Sequence, residues 1–305
     1  MRVGFSLPQI GQLGTRENLV LCAQRAEKLG YDNLWTVERV LYPLKPQSPY
    51  PGSPDGSMPE PYKRSLDPLT ALTYVAALTR KIGLGTSVLD MPYYNPVILA
   101  RQLTAIDVLS EGRLRLGLGL GWSQDEYDAT GASMKIRGAR ADEFLKVLKA
   151  IWTTDPVEFH GKYFQIPKSI IQPKPVQKPH PPIYTAAFAP AALKRTAELT
   201  NGWNPVSLPV EAMGAMIQQL RDIATAAGRD PSELEVIVRA NIEVSEKPRP
   251  KNRPLFTGTL EQIQEDIRAT QSLNVQEIFF DPCFSTDGPL LDRFLRRMEQ
   301  FRKMV

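Results

Sequence analysis

Glycine spacing gives the first hint of chemistry. From Leu114 to Gly121, leucines at 114, 116, 118 and 120 alternate with Arg115, Gly117, Gly119 and Gly121. Side chains of a strand alternate between its two faces, so the leucines share one face and the glycines the other. Glycine weakens a strand, and several on one face mark close approach by something else. A flat aromatic ring system is one candidate. Large side chains reaching in from neighbouring strands are the other, and spacing alone leaves both open. Gly83, Gly85 and Ser87 repeat the pattern further upstream. A dinucleotide-binding turn is excluded for 117–121: its third glycine falls three residues after the second and opens a helix. Here Trp122 holds that position, and a polar turn is expected after it. Arg239 and Asn241 share one face near the end of a later strand. There the arginine could meet an acidic ligand or pair with Glu277 or Asp281.

Those residues need a scaffold that sets strand ends side by side. β-rich runs at 2–7, 32–37, 82–88, 113–120, 182–187, 202–206, 233–242 and 275–281 alternate with helical patterns. Asp67 and Pro68 read as N-cap and first residue of one helix, and Gly30 as the end of another. Such alternation implies a parallel sheet covered by helices, and eight units favour closure into an α/β barrel, the (β/α)8 fold, with functional loops at the C-terminal strand ends. One domain spanning 1–305 is expected. Three stretches exceed simple connections: 41–65 and 245–256, which belong on the C-terminal face, and 153–181, which lies before the fifth strand. The first reads as a substrate lid.

Composition narrows the function classes. The chain has 305 residues, 42% hydrophobic and 23% charged, with a formal charge of +4. Basic and acidic residues are interspersed, so no basic stripe suggests nucleic acid. No run reaches the ~18 apolar residues of a membrane span, and no signal-peptide pattern opens the chain, so a cytoplasmic protein is expected. The two histidines, His160 and His180, lie in Pro-rich or turn-rich sequence, which makes a His-based metal site or serine triad hard to build. No metal is expected. Of the two cysteines, Cys22 falls on a helix's apolar face and reads as a reduced core thiol.

The run GLGTSVLDMPYYNPVILARQLTAIDVLSEGRLRLGLGLGW, from Gly83 to Trp122, resembles the signature of the luciferase-like flavin and deazaflavin oxidoreductases. KPVQKPHPPIY (174–184), NGWNPV (201–206) and FTGTLEQIQEDI (256–267) resemble further segments of that family, so the likeness covers nearly the whole chain. It is strongest toward the subgroup using coenzyme F420, an 8-hydroxy-5-deazaflavin. The resemblance implies a (β/α)8 barrel, a small-molecule substrate and a homodimer. It also implies hydride transfer with F420, or alternatively an FMN-dependent monooxygenase; a non-catalytic flavin-binding protein is a third reading.

The same resemblance implies site residues. Ser87–Val88 takes the place of a non-proline cis peptide supporting the cofactor ring, and Gly119, Gly121 and Trp122 line the ring pocket. The phosphate falls at the helix start near Ala189, Ala191 and Ala192, with Lys194 or Arg195 as helpers. This turn lacks the glycines many relatives carry. Arg239 is a further cofactor-binding candidate. Relatives often end the second strand with Asp-His; here it ends Val37–Glu38–Arg39. Glu38 is therefore the candidate catalytic carboxylate, because a partly buried Glu can be tuned toward neutral pH. Glu38 and Arg39 could equally form an adjacent ion pair holding the lid.

Overall fold

The computed structural model describes residues 1–206, 208–285 and 290–305. Eight parallel strands form the barrel: β1 (Arg2–Ser6), β2 (Asn33–Thr36), β3 (Gly83–Thr86), β4 (Leu114–Gly119), β5 (Ile183–Thr185), β6 (Gly202–Trp203), β7 (Glu235–Asn241) and β8 (Glu277–Asp281). β1 lies between β2 and β8, pairing Gly4 with Asn33 and with Phe279. The sheet runs on through β7, β6 and β5 to β4, and β3–β4 pairing through Leu84–Leu114 and Gly85–Arg115 closes it. A further short strand, Leu89–Asp90, extends the β3 end along β4 and sets Asp90 opposite Gly119.

The helices are α1 (Arg16–Leu29), α2 (Pro68–Ala76), α3 (Pro96–Leu109), α4 (Gln124–Thr130), α5 (Arg137–Thr153), α6 (Pro190–Leu199), α7 (Val210–Ala226), α8 (Leu260–Gln271) and α9 (Leu291–Arg302). Local chemistry sets their ends. The Asp67 carboxylate accepts the Thr70 N–H at 2.7 Å and starts α2 ahead of Pro68. Gly30 ends α1 at φ 78°, a conformation that costs a side-chain-bearing residue more. Thr259 and Gln262 form a reciprocal capping box on α8. The polar turn expected after Trp122 is instead α4. Ser123 caps its start and Gly131 its end, and two caps make a short polar helix viable without a long apolar stripe.

Outside the barrel, Leu114, Leu116 and Leu118 pack with Leu99 and Leu103 of α3 and with Phe144 and Leu148 of α5. Each fully buried leucine contributes about 1.5–3 kcal/mol. Inside, Trp35, Tyr184, Ile237 and Phe279 fill the middle layer, and the Trp35 and Phe279 rings stack at 5.0 Å. Below them the Glu277 carboxylate accepts from Trp35 Nε1 and Asn33 Nδ2, both at 2.7 Å. This packing decides much of the glycine pattern. A Cβ on Gly85 would lie 2.4 Å from the Trp35 ring, one on Gly83 would overlap the Asn33 side chain, and one on Gly117 would meet the Thr86 carbonyl. Within the barrel, then, these glycines make room for neighbouring strands.

The 153–181 stretch is more ordered than its composition suggests. Val157–His160 and Gln165–Ser169 pair as an antiparallel hairpin, and Glu143 of α5 accepts the N–H groups of Lys162, Tyr163 and Phe164 in its turn. A remote carboxylate organises the turn, which local turn chemistry does not reveal. The 245–256 insertion is clasped by the short pair Glu243–Val244 and Thr257–Gly258. Cys22 is fully buried and unpaired, as expected. Among the described residues no helix is long and apolar enough to cross a membrane.

Candidate active site

The C-terminal ends of β2, β3 and β4 bring three carboxylates together. Glu38 follows β2, Asp90 lies in the extension of β3, and Glu126 sits in the first turn of α4. Glu38 accepts the Asp90 N–H at 2.7 Å and the Tyr94 hydroxyl. Glu126 accepts Arg39 Nε at 2.6 Å and a second Arg39 N–H, forming a fork-to-fork pair, together with the Val40 N–H at 2.8 Å. Arg39 therefore pairs with Glu126 and not with its neighbour Glu38. Both members of that pair are almost wholly buried, and the guanidinium lies between the Tyr62 and Trp122 rings at 5.4 and 5.1 Å.

The one guanidinium at this three-carboxylate cluster is thus taken up by Glu126, and this sets the protonation of the other two. Burial, then the nearby Asp90 charge, push the Glu38 carboxyl up to about 8, against the pull of its Asp90 N–H and Tyr94 hydrogen bonds. Burial also raises Asp90; Arg39 opposes that rise and Glu126 adds to it. Two carboxyls that both resist ionisation, joined through the Asp90 backbone, form a unit that retains a proton near neutral pH. Among the described residues no group of three thiols, imidazoles or carboxylates is placed to hold a metal ion.

The expected ring-pocket residues border this cluster. The space a side chain would take on Gly119 is held by Val88 and the Asp90 carboxylate. Gly121 has φ 71°, and a Cβ there would meet the Tyr93 hydroxyl at 2.5 Å. Trp122 meets Tyr50 edge-on at 5.4 Å. Tyr50 belongs to the 41–65 loop, which is tied to α4 by the Gln47 N–H on Asp125 (3.0 Å) and by the Gln124 N–H on Ser48 (3.1 Å). The loop thus lies over the strand ends, with Trp122 engaged beneath it.

Ser87, Asn204, Arg239 and Asp281 make a polar layer at the top of the barrel interior. The Ser87–Val88 peptide is cis, as the resemblance implies. Ser87 Oγ donates to Asn204 Oδ1 at 2.7 Å, and Asn204 Nδ2 donates to the Ile237 carbonyl at 2.7 Å. Arg239 donates to the Ser87 carbonyl at 3.0 Å and pairs with Asp281 at 2.6 Å. Of its two expected partners, Arg239 takes Asp281. Ser6, at the inward-facing end of β1, is buried, and its hydroxyl has no hydrogen-bond partner among the described residues.

Ala189, Ala191 and Ala192 lie round the barrel at the start of α6. No side chain caps this helix, and its first turn carries no acid. The two cations beside it are engaged elsewhere. Arg195 is buried on Asp142 and on the Gly138 carbonyl, and Lys194 reaches Glu198 at 3.8 Å. A cavity of about 530 Å³ opens on the other side, between the ends of β1 and β8 and the 59–64 part of the loop, and none of the expected site residues lines it.

Asp90, Glu126, Tyr94 and Asn204 were not foreseen. Their roles come from partners distant in sequence. Only Asp90 carries a local signal, as an acid in the apolar run VLDMP.

Comparison with known proteins fixes the family. Residues 1–276 match the model for the luciferase-like monooxygenases. The chain belongs to that family. An uncharacterised protein from Mycobacterium tuberculosis is 32% identical over 209 residues, 68% of this chain and 74% of that protein. An F420-dependent glucose-6-phosphate dehydrogenase of Amycolatopsis mediterranei is 31% identical, covering 67% of this chain and 56% of that enzyme. An FMNH2-dependent dimethylsulfone monooxygenase of Pseudomonas putida is 31% identical, over 50% of this chain and 42% of that enzyme. The crystal structure of monooxygenase RslO1 from Streptomyces bottropensis superposes with a TM-score of 0.80 at 22% identity, covering 100% of this chain and 98% of that one, and shares the luciferase-like barrel.

Proposed function

We propose that this luciferase-like protein is an oxidoreductase that transfers a hydride between reduced coenzyme F420 and a small organic substrate, with Glu38 carrying the accompanying proton. The observation behind this reading is the state of Glu38. It is a carboxyl at a strand end of the functional face, held protonated near neutral pH and beside the cis Ser87–Val88 bond through its link to Asp90.

The strand ends fit a flat, polar-edged cofactor. Ser6 offers a buried hydroxyl with no hydrogen-bond partner among the described residues, and the first turn of α6, Pro190 between alanines, has no side-chain cap. The ring would rest on Ser87, Val88, Gly119, Gly121 and Trp122. The phosphate would meet Ala189, Ala191 and Ala192, where the helix dipole favours an anion. Bound there, the deazaflavin supplies the hydride chemistry. Arg239, itself fixed by Asp281, holds the Ser87 carbonyl and so positions the cis peptide. The 41–65 loop and Trp122 exclude water from the strand ends. Glu38 holds a proton on the carboxyl whose other contacts, Tyr94 and the Asp90 N–H, fix its orientation.

The FMNH2-dependent relative supports a second reading, an FMN-dependent monooxygenase. The two separate in one assay. The protein is mixed with reduced F420 under nitrogen against a panel of aldehydes, ketones and enones, and in parallel with FMN, a flavin reductase and oxygen. Substrate-dependent oxidation of F420 without oxygen is expected. Substrate-dependent oxygen uptake with FMN, and none of the former, would replace the first reading with the second.

A further inference from the structure

We infer that Tyr50 is the gate residue of this site. It rides on a flap, residues 43–57, that swings about a base at Tyr42 and Met58 and leaves Trp122 to let a planar ligand reach the strand ends. The ligand's place on Trp122 rests on the proposed function; the flap and its hinge stand on their own contacts.

Both arms of the 41–65 loop are pinned to the barrel. On the outgoing arm the Val40 and Leu41 N–H groups donate to Glu126 at 2.8 and 3.3 Å. On the returning arm the Gly11 N–H donates to the Pro61 and Arg64 carbonyls at 3.0 and 2.8 Å, and the Leu66 N–H to the Gln9 carbonyl at 3.0 Å. Tyr62 is buried there against Phe284 at 5.0 Å. The Tyr42 hydroxyl donates to the Met58 carbonyl at 3.1 Å and closes the base between the arms. Beyond that base the chain carries Pro43, Pro46, Pro49, Pro51 and Pro54, and its tip folds on itself. The Tyr50 N–H donates to the Gly56 carbonyl and the Ser53 hydroxyl to the Ser57 carbonyl, both at 2.8 Å. Fixed proline φ angles and an internally bonded tip let the segment move as one body instead of unravelling.

Gln47, Ser48 and Tyr50 hold the flap down. Gln47 donates through its backbone N–H to Asp125 and through its side-chain amide to Asp128, both at 3.0 Å, and Ser48 accepts the Gln124 N–H at 3.1 Å. Tyr50 packs edge-on against Trp122 at 5.4 Å and against Tyr62 at 6.0 Å. Every residue from 41 to 61 is exposed or only partly buried. Water replaces such open polar ties at little cost, and a segment with little buried apolar surface lies at the low-stability end of a fold. The ground beneath the flap holds without it. Arg39 lies between the Tyr62 and Trp122 rings and pairs with Glu126, all outside 43–57. Opening therefore uncovers Trp122 and leaves the buried ion pair intact. Because Trp122 is one of the residues on which the ring would rest, the gate stands at the ligand's entrance.

The test is acrylamide quenching of tryptophan fluorescence in the purified chain, without cofactor. Of the four tryptophans, Trp35, Trp152 and Trp203 are buried and Trp122 is half-buried, so Trp122 supplies the quenchable emission and Trp122→Phe should abolish it. Tyr50→Ala should raise the quenching constant several-fold with circular dichroism unchanged. Gln47→Ala is the sharper variant, because the bonds of Gln47 go to α4 and not to Trp122. An increase there, of about twofold for one lost open tie, reaches Trp122 only through the flap. Hydrogen exchange in Tyr50→Ala should quicken at the Gln47 amide and keep the wild-type rate at Leu41, Tyr62 and Leu66, on the pinned arms. Unchanged quenching in Gln47→Ala would overturn the gate. Faster exchange at Tyr62 and Leu66 together with Gln47 would mean that the loop moves whole, and would overturn the hinge. No cofactor enters these measurements, so their failure would strike the gate and leave the F420 reading standing, and failure of F420 to bind would do the reverse.

Discussion

Glu126 takes the full fork of Arg39, and Glu38 and Asp90 are left without a cation of their own. Removing the Glu126 charge strands a buried guanidinium. Glu126→Gln should therefore lower stability by about 3–5 kcal/mol, read as a shifted urea midpoint. The opposite holds for Glu38, whose ionised form is the disfavoured one. Its folded-state value of about 8 lies above the 4.5 of an exposed glutamate, so between those pH values the folded chain holds more protons than the unfolded one. This contribution is whole below pH 4.5 and is lost as pH rises through about 8. Glu38→Gln should flatten the fall in melting temperature over that window, and an unchanged slope would place the shared proton elsewhere. The same variant should bind cofactor normally and turn over about 10²-fold more slowly, the usual scale for a lost general acid. Full turnover would remove Glu38 from proton transfer.

At the scale of elements, tight strands position these groups. Gly85 on β3 faces the Trp35 ring, which is itself stacked on Phe279. Gly85→Ala has no free space, so a loss of about 1–3 kcal/mol is expected in chemical denaturation, without loss of the barrel's circular dichroism. The 41–65 loop is held by Gln47, Ser48 and Tyr50 against α4 and Trp122. Trp122→Ala should expose the 41–65 loop to limited proteolysis, whereas cleavage at the wild-type rate would mean that the polar ties suffice. The elements with a strict period were legible in the sequence: the leucines of β4, the capped α2 and the αL end of α1. Elements made by distant partners were not. α4 is short and polar and is recognised only by its two caps, and the 153–181 hairpin depends on Glu143. The site shows the same division. Glu38 could be singled out as an acid at a strand end, but its distance from Arg39's charge is decided by Glu126, 87 residues beyond Arg39. Of the two readings that glycine spacing left open, positions 83, 85 and 117 follow the second and accommodate neighbouring strands.

The whole barrel is layered along its axis. Ion pairs and Glu277 lie at the bottom, Trp35, Tyr184, Ile237 and Phe279 in the middle, and Ser87, Asn204, Arg239 and Asp281 at the top. The apolar middle seals the interior, so chemistry is confined to the roof and to the loops above it, as in other (β/α)8 enzymes. Around that roof stand an acid cluster on the β2–β4 side, a helix start without a side-chain cap after β5, and a largely apolar cavity between β1 and β8. The central claim is that this face binds a deazaflavin. It is tested most directly by fluorescence titration of the purified protein with coenzyme F420 and with FMN in parallel. Tight, saturable binding of F420 with FMN weaker is the expected result. Tight binding of FMN alone, or of neither, would contradict it.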